Sequence, residues 1–277
     1  MFHPIIPKNI RIHNFDYQDP DQIPEAVFAR IREGFAAKQS GTPLVSVNII
    51  AWNEESTILR NLSSLSAMES TFPVEFIYVD NNSGDRTSEI IRKCGITPVS
   101  ESRQGYGFAR QAALEHSLGQ YIVTGDADTI YPPTWVDAMI KPVLAGKGVA
   151  TYGTYSFLPA KGKARLPYAS YEFLRNIVHS LRTIKRPELA VGGVNFCFPR
   201  AAALEIGFIQ SDARMEDGKM AFALSKHGKL RRVTRLKAIA WTVTRSVDQN
   251  GSLLVAAFSR IPKQLKWLKL YFFRKKH

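Results

Sequence analysis

Residues 45–65 read VSVNIIAWNEESTILRNLSSL. The first half, within LVSVNII, is a β-branched run with no breaker, the pattern of a strand buried on both faces. The polar cluster AWNEES then turns the chain, and Ile58, Leu62 and Leu65 follow at helical spacing. Strand, polar turn and helix in about twenty residues is one half of a βαβ unit.

The same unit recurs downstream. EFIYVD reads as a strand, NNSGD as a turn and residues 85–94 as a helix. TPVSES is a weaker strand, and residues 104–118 are helical in pattern. YIVTGD is a strand, with a helix expected over Pro133–Leu144. This alternation predicts an α/β fold with a central, mostly parallel sheet flanked by helices. Upstream, Pro24 opens a helix whose stripe is Val27, Phe28, Ile31 and Phe35, and Gly41 and Pro43 close it.

Ligands of such sheets gather at the carboxyl ends of the strands. Three polar clusters fall there: AWNEE, VDNNSGD and GDADT. In the last, Asp126 and Asp128 are two apart, so their side chains leave an extended strand on one side. Two carboxylates that close repel unless a cation lies between them, and Mg²⁺ commonly joins one or two carboxylates to a substrate phosphate. A solvated turn whose aspartates cap the next helix is the competing reading. The short string DADTI also fits an aspartate nucleophile of a dehalogenase-type phosphatase, but there the strand is usually first in its domain.

The second half is less regular. Residues 157–187 are rich in Lys and Arg, with Tyr168, Tyr171, Leu174, Ile177, Val178 and Leu181 expected as the inward side of a helix. LAVGGVNFCFPR reads as a strand, whose Gly192 and Gly193 mark a bulge or a close backbone approach. A helix is expected from Asp217, and short strands near 230–234 and 238–243. Glu216 and Asp217 stand at that helix start. A carboxylate there is either an ordinary acidic first turn or a general base.

Composition bounds the rest. The chain has 277 residues, 45% of them hydrophobic, with a formal net charge of +13. That suffices for one large domain or two small ones and favours an anionic partner. Cys94 and Cys197 are too few for a disulfide framework. No uncharged apolar run reaches the ~20 residues of a spanning helix. With no leader-like pattern over residues 1–23, the expected location is cytoplasmic, peripheral on the inner face of the cell membrane. From Gly251 the chain again looks helical, with Pro262 as a kink. LLVAAFSRIPKQLKWLKLYFFRKKH mixes apolar and basic residues as an interfacial helix on an anionic membrane surface does, or a helix packed on the core. Nucleic acid is not expected as a partner, since no recognition motif accompanies the charge.

Taken in order, these motifs resemble the family 2 glycosyltransferases of GT-A fold. VSVNIIAWNEESTILRNLSSL is similar to the family's opening strand and helix. VDNNSGDRTSEI is similar to its second nucleotide loop, and RQGYGFARQAALEHSLGQYIVTGDADTIYPP to the helix that leads into an Asp-x-Asp motif. GGVNFCFPRAAALEIGF resembles the acceptor-side strand, and MEDGKMAFAL the Glu-Asp motif. The resemblance implies a Rossmann-like domain over 43–245, with a nucleotide half (43–130) and an acceptor half (131–245). An N-terminal arm and helix (1–42) and a basic amphipathic helix (246–277) flank it.

It further implies inverting transfer of a sugar from a nucleotide-sugar donor to a glycan or lipid-linked acceptor, in cell-envelope or exopolysaccharide synthesis. Mn²⁺ or Mg²⁺ is the implied cofactor, held by Asp128 and Asp126. Ala51, Trp52, Glu54, Asp80, Asn81, Arg103, Arg110, Asp126 and Arg245 are the implied nucleotide contacts. Asp217 is the implied base, with Glu216 beside it. Trp52, Asn81 and Trp241 depart from the commoner residues at their positions, so base identity and a third metal ligand stay unassigned. A sugar-phosphate nucleotidyltransferase is the alternative enzyme; it usually opens with a glycine-rich phosphate loop, which SVNIIAWNEES lacks.

Overall fold

The computed structural model describes residues 3–17, 19–38, 41–210 and 215–244. Arg245 and the expected helix over 246–277 lie outside them.

In chain order the elements are α1 (Lys8–Arg11), α2 (Glu25–Ala36), β1 (Val45–Ala51), α3 (Ile58–Ser66), β2 (Val74–Asp80), α4 (Thr87–Lys93), β3 (Val99–Ser100) and α5 (Tyr106–His116). Then come β4 (Tyr121–Asp126), β5 (Thr129–Ile130), α6 (Trp135–Leu144), β6 (Ala150–Tyr152), β7 (Tyr155–Leu158) and α7 (Leu166–Thr183). The last are β8 (Phe196–Pro199), α8 (Arg200–Ile206), α9 (Glu216–Ser225), β9 (Leu230–Arg232) and β10 (Ala240–Val243).

A seven-stranded sheet has the order β3-β2-β1-β4-β8-β6-β9. β3, β2, β1 and β4 are parallel, β8 runs antiparallel to both β4 and β6, and β9 is parallel to β6. Its two faces are covered separately, as the pleat requires. Val45, Val47 and Ile49 of β1 pack with α2, α3, α4 and α6. Ile50 and Val79 point the other way, onto α5, and Ile122, Phe196 and Phe198 meet α8 and α9. All seven residues of β1 are buried, Ser46 and Asn48 included, so the polar alternation there marks no solvent-facing side. A second sheet, β5-β10-β7, packs Ile130, Leu158 and Trp241 with Ile10.

The fold differs from the sequence reading in several places. β5, β6 and β7 are two to four residues long, too short to show a period. α8 follows Pro199 at its N-cap and continues a stretch read as strand. α7 is turned against its expected face: Tyr168, Tyr171 and Val178 are buried, but Leu174, Ile177 and Leu181 are exposed, while Glu172 and Arg175 point inward.

Candidate active site

The carboxyl ends of β1 and β4 lie side by side, in the register Ile50↔Asp126. β8 reaches the same end from the opposite direction, pairing Phe196 with Thr124. The residues just before β8, including Gly193, therefore run beside Gly125 and Asp126. α9 begins at Glu216 and brings Asp217 to this point.

The centre of the site is Arg110 of α5, only 2% exposed. Its Nη1 donates to the Gly125 carbonyl at 2.9 Å and its Nη2 to Asp126 Oδ1 at 2.6 Å. Its Nε lies 3.7 Å from Asp217 Oδ1. One guanidinium thus joins the first acidic cluster to the second. Asp126, Arg110, Glu216 and Asp217 all line one cavity of about 650 Å³.

The backbone is shaped around this bridge. A Cβ on Gly193 would fall 2.3 Å from Arg110 Nη2 and 2.5 Å from Asp217 Oδ2, so a larger residue would have to displace one of these charged ends. The Gly193 N–H lies toward the Asp217 carboxylate and favours its charged form, while Asp217 Oδ1 is buried without a hydrogen-bond partner among the described residues. Gly125 is confined likewise, since a Cβ there would meet the Tyr131 hydroxyl at 2.6 Å. That hydroxyl donates to the Val194 carbonyl at 2.9 Å and accepts from the Asp126 N–H at 2.9 Å, tying β4 to the segment before β8.

Charge at this point is unbalanced. Asp126, Glu216 and Asp217 face one buried cation. Burial first, then Glu216 and Asp126, push the Asp217 carboxyl up to about 7, against the pull of Arg110 and the Gly193 N–H. A carboxyl with that proton affinity exchanges protons near neutrality, as a general base must.

A smaller cavity of about 310 Å³ adjoins the first and shares Tyr106 and Asp126 with it. Ala51, Trp52, Glu54, Asn81 and Asp128 line it. Trp52 is 53% exposed and supplies a large aromatic surface to this cavity. Asn81 shapes the wall: its Nδ2 donates to the Glu101 and Arg103 carbonyls at 3.1 and 2.7 Å, and its Oδ1 accepts from the Gly105 N–H at 2.9 Å.

Asp126 and Asp128 both face this smaller cavity. Asp128 Oδ1 accepts from the Thr129 and Thr242 hydroxyls at 3.0 and 3.2 Å. Among the described residues no third His, Cys, Asp or Glu completes a metal cluster. Two hard oxygen donors in a cavity that leaves other positions to a ligand fit Mg²⁺ or Mn²⁺ shared with a phosphate.

Two of the expected nucleotide contacts line neither cavity. Asp80 accepts from the Ser83 N–H at 3.2 Å and the Ser88 hydroxyl at 2.7 Å, shaping the entry to α4. Arg103 donates to Glu101 from Nε and Nη2 at 2.9 and 2.8 Å and stacks over Phe108. Arg110 lines the larger cavity, its guanidinium held between carboxylates. Trp241 is buried in β10, with the Arg165 guanidinium over its ring. Arg245 is outside the described residues. Tyr106, Gly193 and Thr242 belong to the site without having been assigned to it. Gly193 had a signal in its glycine pair; Thr242 shows only in the β10 pairing.

A family model described as "Glycosyl transferase family 2" matches residues 46–207. Among curated proteins, the chain is 30% identical over 113 residues to a low-salt glycan biosynthesis hexosyltransferase, Agl6, of Haloferax volcanii, covering 40% of this chain and 27% of that one. It is 31% identical over 123 residues to glucosyl-3-phosphoglycerate synthase of Mycobacterium tuberculosis, covering 41% and 37%. The matched stretch thus spans about a third of these relatives' length. Among solved structures, it is similar to a mannosyltransferase from Pyrobaculum calidifontis in complex with GDP-Man and Mn²⁺, with TM-score 0.60 and 20% identity over 91% of this chain and 76% of that one. A glucosyl-3-phosphoglycerate synthase from M. tuberculosis, in complex with Mn²⁺, UDP-glucose and phosphoglyceric acid, matches with TM-score 0.54 and 22% identity over 80% and 78%. These likenesses show the fold: a mixed α/β GT-A architecture with a large, mostly parallel sheet flanked by helices.

Proposed function

The chain belongs to glycosyl transferase family 2, and from that premise we propose that it moves a sugar from a nucleotide-sugar donor to an acceptor hydroxyl, with inversion at the anomeric carbon. The observation that carries the reading is the Arg110 bridge. It sets Asp126, beside Asp128, and Asp217 into the walls of two adjoining cavities.

The smaller cavity takes the donor. Trp52 offers its face to the base, and the Asn81-ordered loop forms the wall beside it. Asp126 and Asp128 would hold Mn²⁺ or Mg²⁺ there; when bound, such an ion supplies Lewis-acid stabilisation for a leaving diphosphate. Donor complexes of the structural neighbours contain Mn²⁺, which supports this assignment.

The larger cavity takes the acceptor. Asp217 accepts the proton of the attacking hydroxyl as the new glycosidic bond forms and the bond to the diphosphate breaks. Gly193 and Arg110 fix the carboxylate's direction, so the hydroxyl is held in line with the sugar. Glu216, whose Oε2 accepts from the Met215 N–H, contributes charge that raises the proton affinity of Asp217. Lipid-phosphate sugar transferases among the relatives support a lipid-linked acceptor as one class, alongside a glycan. No helix among the described residues is long and apolar enough to cross a membrane.

A thermal-shift screen of nucleoside diphosphates with and without Mn²⁺ tests the proposal. One diphosphate should raise the melting temperature in a metal-dependent way, by the mass action of binding to the native state. Indifference to every diphosphate, with metal present, would refute it.

A further inference from the structure

α7 buries charge beside Tyr168, Tyr171 and Val178. Its sequence offers an apolar face, yet Phe173, Leu174, Ile177 and Leu181 face outward. The opposite ridge, at i, i+3, i+4 and i+7, is Glu172, Arg175, Asn176 and His179. Burying charge in place of available leucine costs stability unless the charge is matched. Conflicts of this kind between local pattern and fold concentrate at functional or strained sites.

Glu172 is accounted for: it accepts from Arg165 Nη2 at 2.7 Å, the Ser156 hydroxyl at 3.1 Å and the Phe157 N–H at 2.6 Å. Arg175 is not. It is 4% exposed, lies 3.9 Å over the Tyr155 ring and donates from Nη2 to the Tyr155 carbonyl. Its Nη1 is buried with no hydrogen-bond partner. Arg232 of β9 comes alongside, its Nη1 donating to the Ser180 hydroxyl at 2.7 Å. Among the described residues no carboxylate pairs with either arginine. Glu188, near Tyr152, is taken by Arg186. Burial first, and the charge of Arg175, lower the proton affinity of Arg232, against the opposing pull of Tyr152.

Both guanidiniums line one cavity of about 130 Å³, together with Asn176 and His179. That is room for several waters, and so for a tetrahedral oxyanion. Arg175 and Asn176 of α7 and Arg232 of β9 thus share one lining. The cavity shares Leu189 and Val191 with the larger active-site cavity, so it lies behind the acceptor side.

We propose that this cavity binds a phosphoryl group carried by the acceptor, with Arg175 and Arg232 as its principal ligands. The anion site stands on the geometry alone. Its assignment to the acceptor rests on the sugar-transfer reading. Planar guanidinium forks match phosphoryl oxygens in pairs, and an unpartnered Nη1 is the donor such an oxygen would satisfy.

The test is calorimetric titration of the full chain, at low salt in a non-phosphate buffer, with inorganic phosphate and then glycerol 3-phosphate. Phosphate should bind, and Arg175→Gln and Arg232→Gln should each weaken it about tenfold or more, the loss of a charged hydrogen bond. Arg231→Gln, on the exposed neighbour, should leave it unchanged. Arg232 is half-buried, so its variant keeps the test open if Arg175→Gln does not fold. Glycerol 3-phosphate should compete with phosphate and show the same losses. Phosphate binding without any by glycerol 3-phosphate overturns the acceptor assignment. No phosphate binding, or binding indifferent to Arg232→Gln, overturns the site. Nucleoside diphosphate binding with Mn²⁺ should persist in every variant; its absence from wild type, with phosphate still bound, would sink the transfer reading and spare the anion site.

Discussion

Asp217→Asn should make the protein more stable at pH 8 while leaving its stability at low pH nearly unchanged. The native carboxyl sits at about 7, against an ordinary value of 3.8. Its folded value is raised, so the unfolded chain releases this proton first as pH rises. Below 3.8 both states hold the proton and there is no penalty. Between 3.8 and about 7 the unfolded state is increasingly favoured, and above that the penalty is constant. At ~1.4 kcal/mol for each tenfold in proton affinity, the full penalty is about 4 kcal/mol. Roughly 2–3 kcal/mol of it develops between pH 5 and 8. Asparagine mimics the neutral form, keeps the shape against Gly193 and removes the titration. Urea unfolding of both proteins at pH 5 and pH 8 reads the difference directly. For a domain of this size each kcal/mol moves the melting temperature by about 2–4 °C, so the gap between variant and wild type should widen by roughly 5–10 °C over that range. An equal difference at the two pH values would mean that Asp217 ionises like an exposed carboxylate, and the argument for a poised base would fail.

Other outcomes follow from the same geometry. Transfer should fall about tenfold for each pH unit below ~7, as the Asp217 carboxyl takes up its proton; a flat profile from pH 5 to 8 would speak against it. Asp128→Ala should abolish the metal-dependent part of nucleoside diphosphate binding by calorimetry, and an unaltered Mn²⁺ titration would contradict its assignment. Gly193→Ala drives a Cβ to within 2.3 Å of Arg110. It should cost about 1–3 kcal/mol in urea unfolding and most of the transfer rate. Unchanged stability would show that the segment before β8 yields without strain.

How far the sequence foretold this site depends on distance along the chain. β1, β2 and β4 were legible because continuous apolar runs ending in polar clusters state both the strand and its functional end. Asp126 and Asp128 followed from that placement, and Glu216 with Asp217 from the helix start at α9. Arg110 was named only as a nucleotide contact. Its bonds to Gly125 and Asp126, and its approach to Asp217, span 15 to 107 residues of chain, beyond any local pattern. Asp80 and Arg103 were legible as polar residues near the strand ends, and local hydrogen bonds hold both in the loops there. α7 misled for a different reason. Periodicity reports which residues share a face, and it takes the apolar face to be the buried one. A buried network around Glu172 and Arg175 reverses that choice.

Turnover and donor affinity measured together on Asp217→Asn decide whether the two acidic clusters serve one reaction. Affinity for the nucleoside diphosphate with Mn²⁺ should stay within about twofold of wild type, while transfer drops by ~10²–10⁴, the contribution of a positioned general base. Transfer within a few-fold of wild type, or loss of donor binding in step with the rate, would contradict a proton-accepting role for Asp217.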